Sequence, residues 1–163
     1  MGSAQDYLVT VAQIAIAIAG FSSIVEALST RHVQHWTDVE RYNFRTLLQV
    51  SAMALFFSLL PMVLVQLWDE YVAWRVALFI YGIFHLADVG SFMLKFPPGA
   101  PGLVKITMTI GLTIACSQIY IAIAQQENLM IFIYLVALTW QLMIAFLGFA
   151  MSLYGARPKT EDD

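Results

Sequence analysis

Asp88 is the single charge that interrupts the apolar stretch 76–94, and His85 stands three residues before it. On a helix, residues three or four apart share a face, so the carboxylate and imidazole would lie together with Tyr81 and, further along, Lys95. Two chemistries suit that pairing. An imidazole exchanges protons near neutral pH, and acidic side chains around a narrow pathway attract cations. The structural alternative is an internal Asp88–His85 or Asp88–Lys95 pair that fixes the register of one helix. A carboxylate about six residues, or roughly 9 Å, from the end of a membrane span is costly, and such a residue usually faces the bundle or water.

A second acid, Glu26, ends a stripe of small residues formed by Ala12, Ala15, Ala19, Ser22 and Ser23. At 100° per residue these positions fall on one side of a helix. Small stripes let helix backbones approach closely in lipid, so the bland expectation is a packing face. The functional alternative is the wall of an ion pathway with Glu26 at its mouth. Gln49 falls at a similar depth, so Glu26, Ser22, Ser23, Gln49, His85 and Asp88 form the candidate ion pathway. Glu26 also has structural partners within reach in Arg31, Arg41 and Arg45. Those same arginines form a basic surface suited to a protein partner or anionic lipid.

The elements that must position these residues follow from hydrophobicity. The 163 residues are 60% hydrophobic and 12% charged, against roughly 45–50% and 25% in soluble domains. Runs 7–25, 46–68, 106–126 and 128–156 lack Asp, Glu, Lys and Arg, and 76–94 is broken only by Asp88. Each meets the roughly 20 residues that a helix needs to cross a hydrocarbon core about 30 Å thick. The expected fold is therefore an all-α bundle of five transmembrane helices, approximately 7–28, 46–68, 71–95, 104–125 and 129–154, forming one domain.

Charge orients that bundle. Arg31, Arg41, Arg45, Lys95, Lys105, Arg157 and Lys159 fall on one side of the five spans, and Arg75 alone on the other. The positive-inside rule then puts the N-terminus outside and the C-terminus in the cytoplasm, with loops 29–45 and 96–103 inside, in a plasma or inner membrane. Thr37 and Glu40 have capping-box spacing, which predicts that the second helix starts at Asp38 and runs to about Leu67. Pro61 should bend it by removing a backbone hydrogen bond. Tyr7, Trp68, Tyr71 and Trp74 are expected at the outer interface, and Trp36, Tyr42 and Tyr154 at the inner one.

Other polar residues fit structural roles. Gln13 and Gln118 are helix–helix hydrogen-bonding residues, and the Trp140 indole needs a partner such as Gln118 or a backbone carbonyl. Gly111 and Ala115, like Gly148 and Ser152, have small-xxx-small spacing. His32 and His35 find no third ligand for a metal, Cys116 is the only cysteine, and no phosphate loop, nucleophile elbow or HExxH motif occurs. No catalytic site, metal, cofactor or nucleic-acid partner is expected. The leading expectation is a small homo-oligomeric channel or ion-conducting protein in the lipid bilayer, favouring cations or protons. The alternative is a non-conducting adaptor or accessory subunit using its basic inner loop.

Overall fold

The structure, a computed structural model, describes residues 2–28, 38–95 and 102–155. It contains five helices: α1 (Gly2–Leu28), α2 (Asp38–Leu64), α3 (Glu70–Lys95), α4 (Gly102–Ala124) and α5 (Glu127–Gly155). Each carries a stretch of 20 to 25 residues apolar enough to cross a membrane. Large apolar side chains also point outward on every helix, including Ile16, Phe21, Phe56, Phe84, Ile123, Phe132 and Phe146. A soluble domain seldom displays such a continuous apolar exterior. The architecture is that of an all-helical bundle compatible with an integral membrane protein.

α1 packs on α2 and α3 on α4, and α5 joins the two pairs, packing mainly on α2 and also on α1, α4 and α3. The half containing the 65–69 and 125–126 connections, termed the upper half, holds the larger core. There Leu8, Val11, Phe57, Leu64, Trp74, Leu78, Tyr81, Tyr134 and Leu138 pack together. In the lower half, where α1 ends and α2 begins, the buried apolar cluster shrinks to Ile18, Leu47, Val50 and Ala145. Polar side chains occupy the space beside it.

Local chemistry defines the upper connections. α2 ends at Leu64, short of the expected Leu67, and runs out in turns that include Trp68 N–H to the Leu64 carbonyl at 3.0 Å. Asp69 then accepts the Val72 N–H at 3.1 Å, capping the exposed amides that open α3. At the end of α4, Gln125 takes a left-handed φ of 55°, and the Gln126 N–H returns to the Ile121 carbonyl at 3.3 Å. That geometry satisfies a terminal carbonyl and turns the chain into α5. Of the aromatics expected at the outer boundary, Trp68 is exposed, but Trp74 is buried edge-on against Tyr134, with ring centroids 5.4 Å apart.

Pro61 leaves a specific gap in α2. It has no N–H to give the carbonyl of Phe57, four residues earlier. The Tyr134 hydroxyl on α5 supplies the missing donor, at 2.5 Å from that oxygen. Removing it strands a buried acceptor, so Tyr134→Phe should destabilise the bundle by about 1–3 kcal/mol. Adding Pro61→Ala, which restores the helical N–H, should recover much of that loss. Unfolding of the two single variants and the double variant in detergent measures the coupling, and strict additivity would refute this role for the hydroxyl.

Candidate functional site

α3 brings Tyr81, His85 and Asp88 down one side, as their spacing predicts, but each side chain joins a different neighbouring helix. The Asp88 carboxylate accepts Gln49 Nε2 from α2 at 2.6 Å. His85 Nδ1 meets Gln118 Oε1 of α4 at 3.0 Å. Tyr81 donates its hydroxyl to Gln141 Oε1 of α5 at 2.6 Å, and the same amide sends Nε2 toward Met53 Sδ of α2 at 3.8 Å. α3 is thus tied by three polar side chains to α2, α4 and α5.

Of the bonded residues, His85, Asp88 and Gln141 border a half-open cavity of about 100 Å³ in the lower half. His85, Asp88 and Phe92 of α3 line it with Thr107 and Gly111 of α4 and Trp140 of α5. Gly111 is what keeps it open. A Cβ there would lie 3.2 Å from Val89 Cγ2, 3.4 Å from the Trp140 indole nitrogen and 3.8 Å from His85 Nε2. The histidine therefore engages Gln118 through Nδ1 and turns Nε2 toward the glycine. With Gln118 Oε1 accepting, Nδ1 carries the proton and Nε2 of the neutral ring is an acceptor.

Above the cavity the core closes with aromatic rings. Tyr81 stacks on His85 with centroids 5.8 Å apart and on Phe57 at 4.3 Å, and Tyr134 meets Tyr81 edge-on at 5.3 Å. Tyr81 and Tyr134 are fully buried. The cavity therefore ends, within one chain, beneath a packed aromatic layer.

The other candidates are distributed differently. Ser22 is buried and returns its hydroxyl to the Ile18 carbonyl at 2.6 Å, whereas Ser23 is exposed and returns its own to Ala19 at 3.0 Å. Ala12 and Ala15 are buried in the same chain, and α1 packs on α2 and α5. The small stripe is thus split between an internal packing face and an outward edge, away from the residues around the cavity. Glu26 and Arg41 sit on the backbone of α1 and α2 with their side chains outside the described set. Arg31 lies outside the described residues, as do Thr37, His32 and His35, and Arg45 is exposed near the start of α2.

Asp88 and His85 hydrogen-bond to Gln49 and Gln118 on neighbouring helices, while the Lys95 side chain lies outside the described residues. Trp140 does not find Gln118, whose oxygen faces His85; its indole nitrogen stands over Gly111 instead. Gln141 and Gly111 are the site residues that spacing alone passed over. A buried glutamine in the middle of an apolar span is a detectable signal, because its amide requires partners from another helix. Gly111 reads only as a packing glycine. Gln118 Nε2 remains without a partner while its side chain is fully buried, as does Ser51 Oγ on α2.

Among the described residues no group of three or more His, Cys, Asp or Glu side chains is placed to hold a metal. The arrangement instead offers a carboxylate and an imidazole nitrogen to a small hydrogen-bonding occupant. Comparison with protein-family models, with curated proteins and with solved structures finds no match.

Proposed function

We propose that this chain is a membrane-embedded ion-conducting protein favouring protons or monovalent cations, with the lower cavity as the inner part of its pathway. One observation carries the reading: a carboxylate and an imidazole from one helix line a single cavity, each anchored by an amide from a different helix. An ionisable pair at this depth has a high cost in an apolar surround, and polar pathways through membrane bundles are where such groups are retained. The charge asymmetry supports an outside N-terminus and a cytoplasmic mouth for the cavity. Because Asp88, His85 and the cavity belong to one chain, a homo-oligomer would carry one pathway per subunit, with α1 a packing helix.

Purified protein in liposomes should dissipate an imposed proton or monovalent-cation gradient, and Asp88→Asn should slow that flux about tenfold, equivalent to about 1.4 kcal/mol in the barrier. Absence of flux under proton, sodium and potassium gradients would reject conduction and favour the adaptor reading.

A further inference from the structure

We propose that the lower cavity is a binding site for ammonium or a short primary alkylammonium ion. This deepens the conduction reading by naming an occupant, and it rests on that reading for its access to water.

Charge gives the first reason. Among the described residues that line the cavity there is no Lys or Arg, and the Asp88 carboxylate accepts its hydrogen bond from the neutral Gln49 amide. Asp88 is only partly exposed, and a carboxylate partly shielded from water is stabilised by a positive partner. His85 offers Nε2 as an acceptor while its Nδ1 proton is committed to Gln118. A carboxylate and an imidazole acceptor bordering one space match the directional N–H donors of an ammonium group.

Size and walls narrow the class. About 100 Å³ is ample for an ammonium nitrogen carrying one or two carbons. Phe92 and Trp140 supply aromatic walls, a surround that attracts organic cations. The Trp140 N–H is a donor and would hold a water accompanying the ion. Divalent oxygen-seeking ions need six or more oxygen ligands, or retain several waters in a larger space. Potassium, similar in size to ammonium, gains nothing from the directional imidazole acceptor.

Gly111 provides an independent handle. A helical glycine costs about 1 kcal/mol relative to alanine, and here its bare Cα leaves the gap bounded by Val89, the indole nitrogen and His85 Nε2. The nearest contact of an added methyl, 3.2 Å to a Val89 side-chain carbon, requires a shift of only a few tenths of an ångström. Gly111→Ala should therefore fold while narrowing the site beside the histidine.

Equilibrium binding of radiolabelled methylammonium to the full-length protein in detergent tests this. Saturable binding is expected, displaced by ammonium but not by equal concentrations of potassium or tetramethylammonium. Asp88→Asn should weaken binding by about tenfold or more, and Gly111→Ala should weaken methylammonium more than ammonium, with the thermal midpoint of each variant confirming its fold. Equal displacement by potassium or tetramethylammonium, or unchanged binding in Asp88→Asn, would overturn the assignment. Proton flux in liposomes without methylammonium binding sinks this inference and leaves conduction standing; binding without flux of any ion retains the site and removes conduction.

Discussion

Tyr81→Ala should lose about 3–5 kcal/mol of stability, the range for truncating a large buried aromatic side chain. Tyr81 is fully buried, stacks on Phe57 and His85, meets Tyr134 edge-on and donates to Gln141. Alanine removes all four interactions and extends the lower cavity into the upper core. Tyr81→Phe keeps the ring but strands the buried Gln141 Oε1, so its cost should be about 1–3 kcal/mol. Denaturant unfolding of both variants in detergent separates ring from hydroxyl. A small loss for Tyr81→Ala would show that the aromatic layer does not bear the packing described. In liposomes the same truncation should raise basal leak, because the ring that closes the cavity from above is gone.

Gly82→Leu should separate α3 from α4. A Cβ at Gly82 would come within 2.8 Å of Ile119 Cγ1, 3.0 Å of Gln118 Cβ and 3.2 Å of the Ile119 backbone nitrogen. One obstacle is backbone, and rotamer changes cannot clear it. Overpacking costs about 1–3 kcal/mol for added methylenes, and a full leucine side chain against a helix backbone should exceed the upper end of that range. Gln118 rides on the same surface, so displacement of α4 would also break its contact with His85. The measurements are the unfolding midpoint and the imidazole resonance of His85. An unshifted midpoint would contradict the close approach.

The five helices were legible because length and apolarity are properties of a segment by itself. Asp38 as the first residue of α2 followed from local chemistry in the same way. So did the defect at Pro61: a proline orphans the carbonyl four residues back wherever it sits in a helix. The identity of the donor was not legible, since Tyr134 lies 77 residues away and reaches Phe57 only through the packing of α5 on α2. Asp88 and His85 stood out by depth and spacing, yet their partners depend on how α3 rotates and slides against α2 and α4. Spacing along one helix contains no such information. Trp74 illustrates the converse. Its position near a span end suggested the interface, but the ring turns inward onto Tyr134. Gly111 was invisible as a site residue because what matters there is the space its missing side chain leaves among three helices.

The bond from Tyr134 to the Phe57 carbonyl also bears on how the chain is made. Helices emerge from the ribosome in order, and α2 is complete long before α5 exists. Until residue 134 arrives, the Phe57 carbonyl has neither its helical donor nor its replacement, and in a lipid surround nothing else would supply one. The last helix thus completes the second, and a nascent chain arrested after α4 should remain more susceptible to quality-control proteolysis than one released with α5 in place.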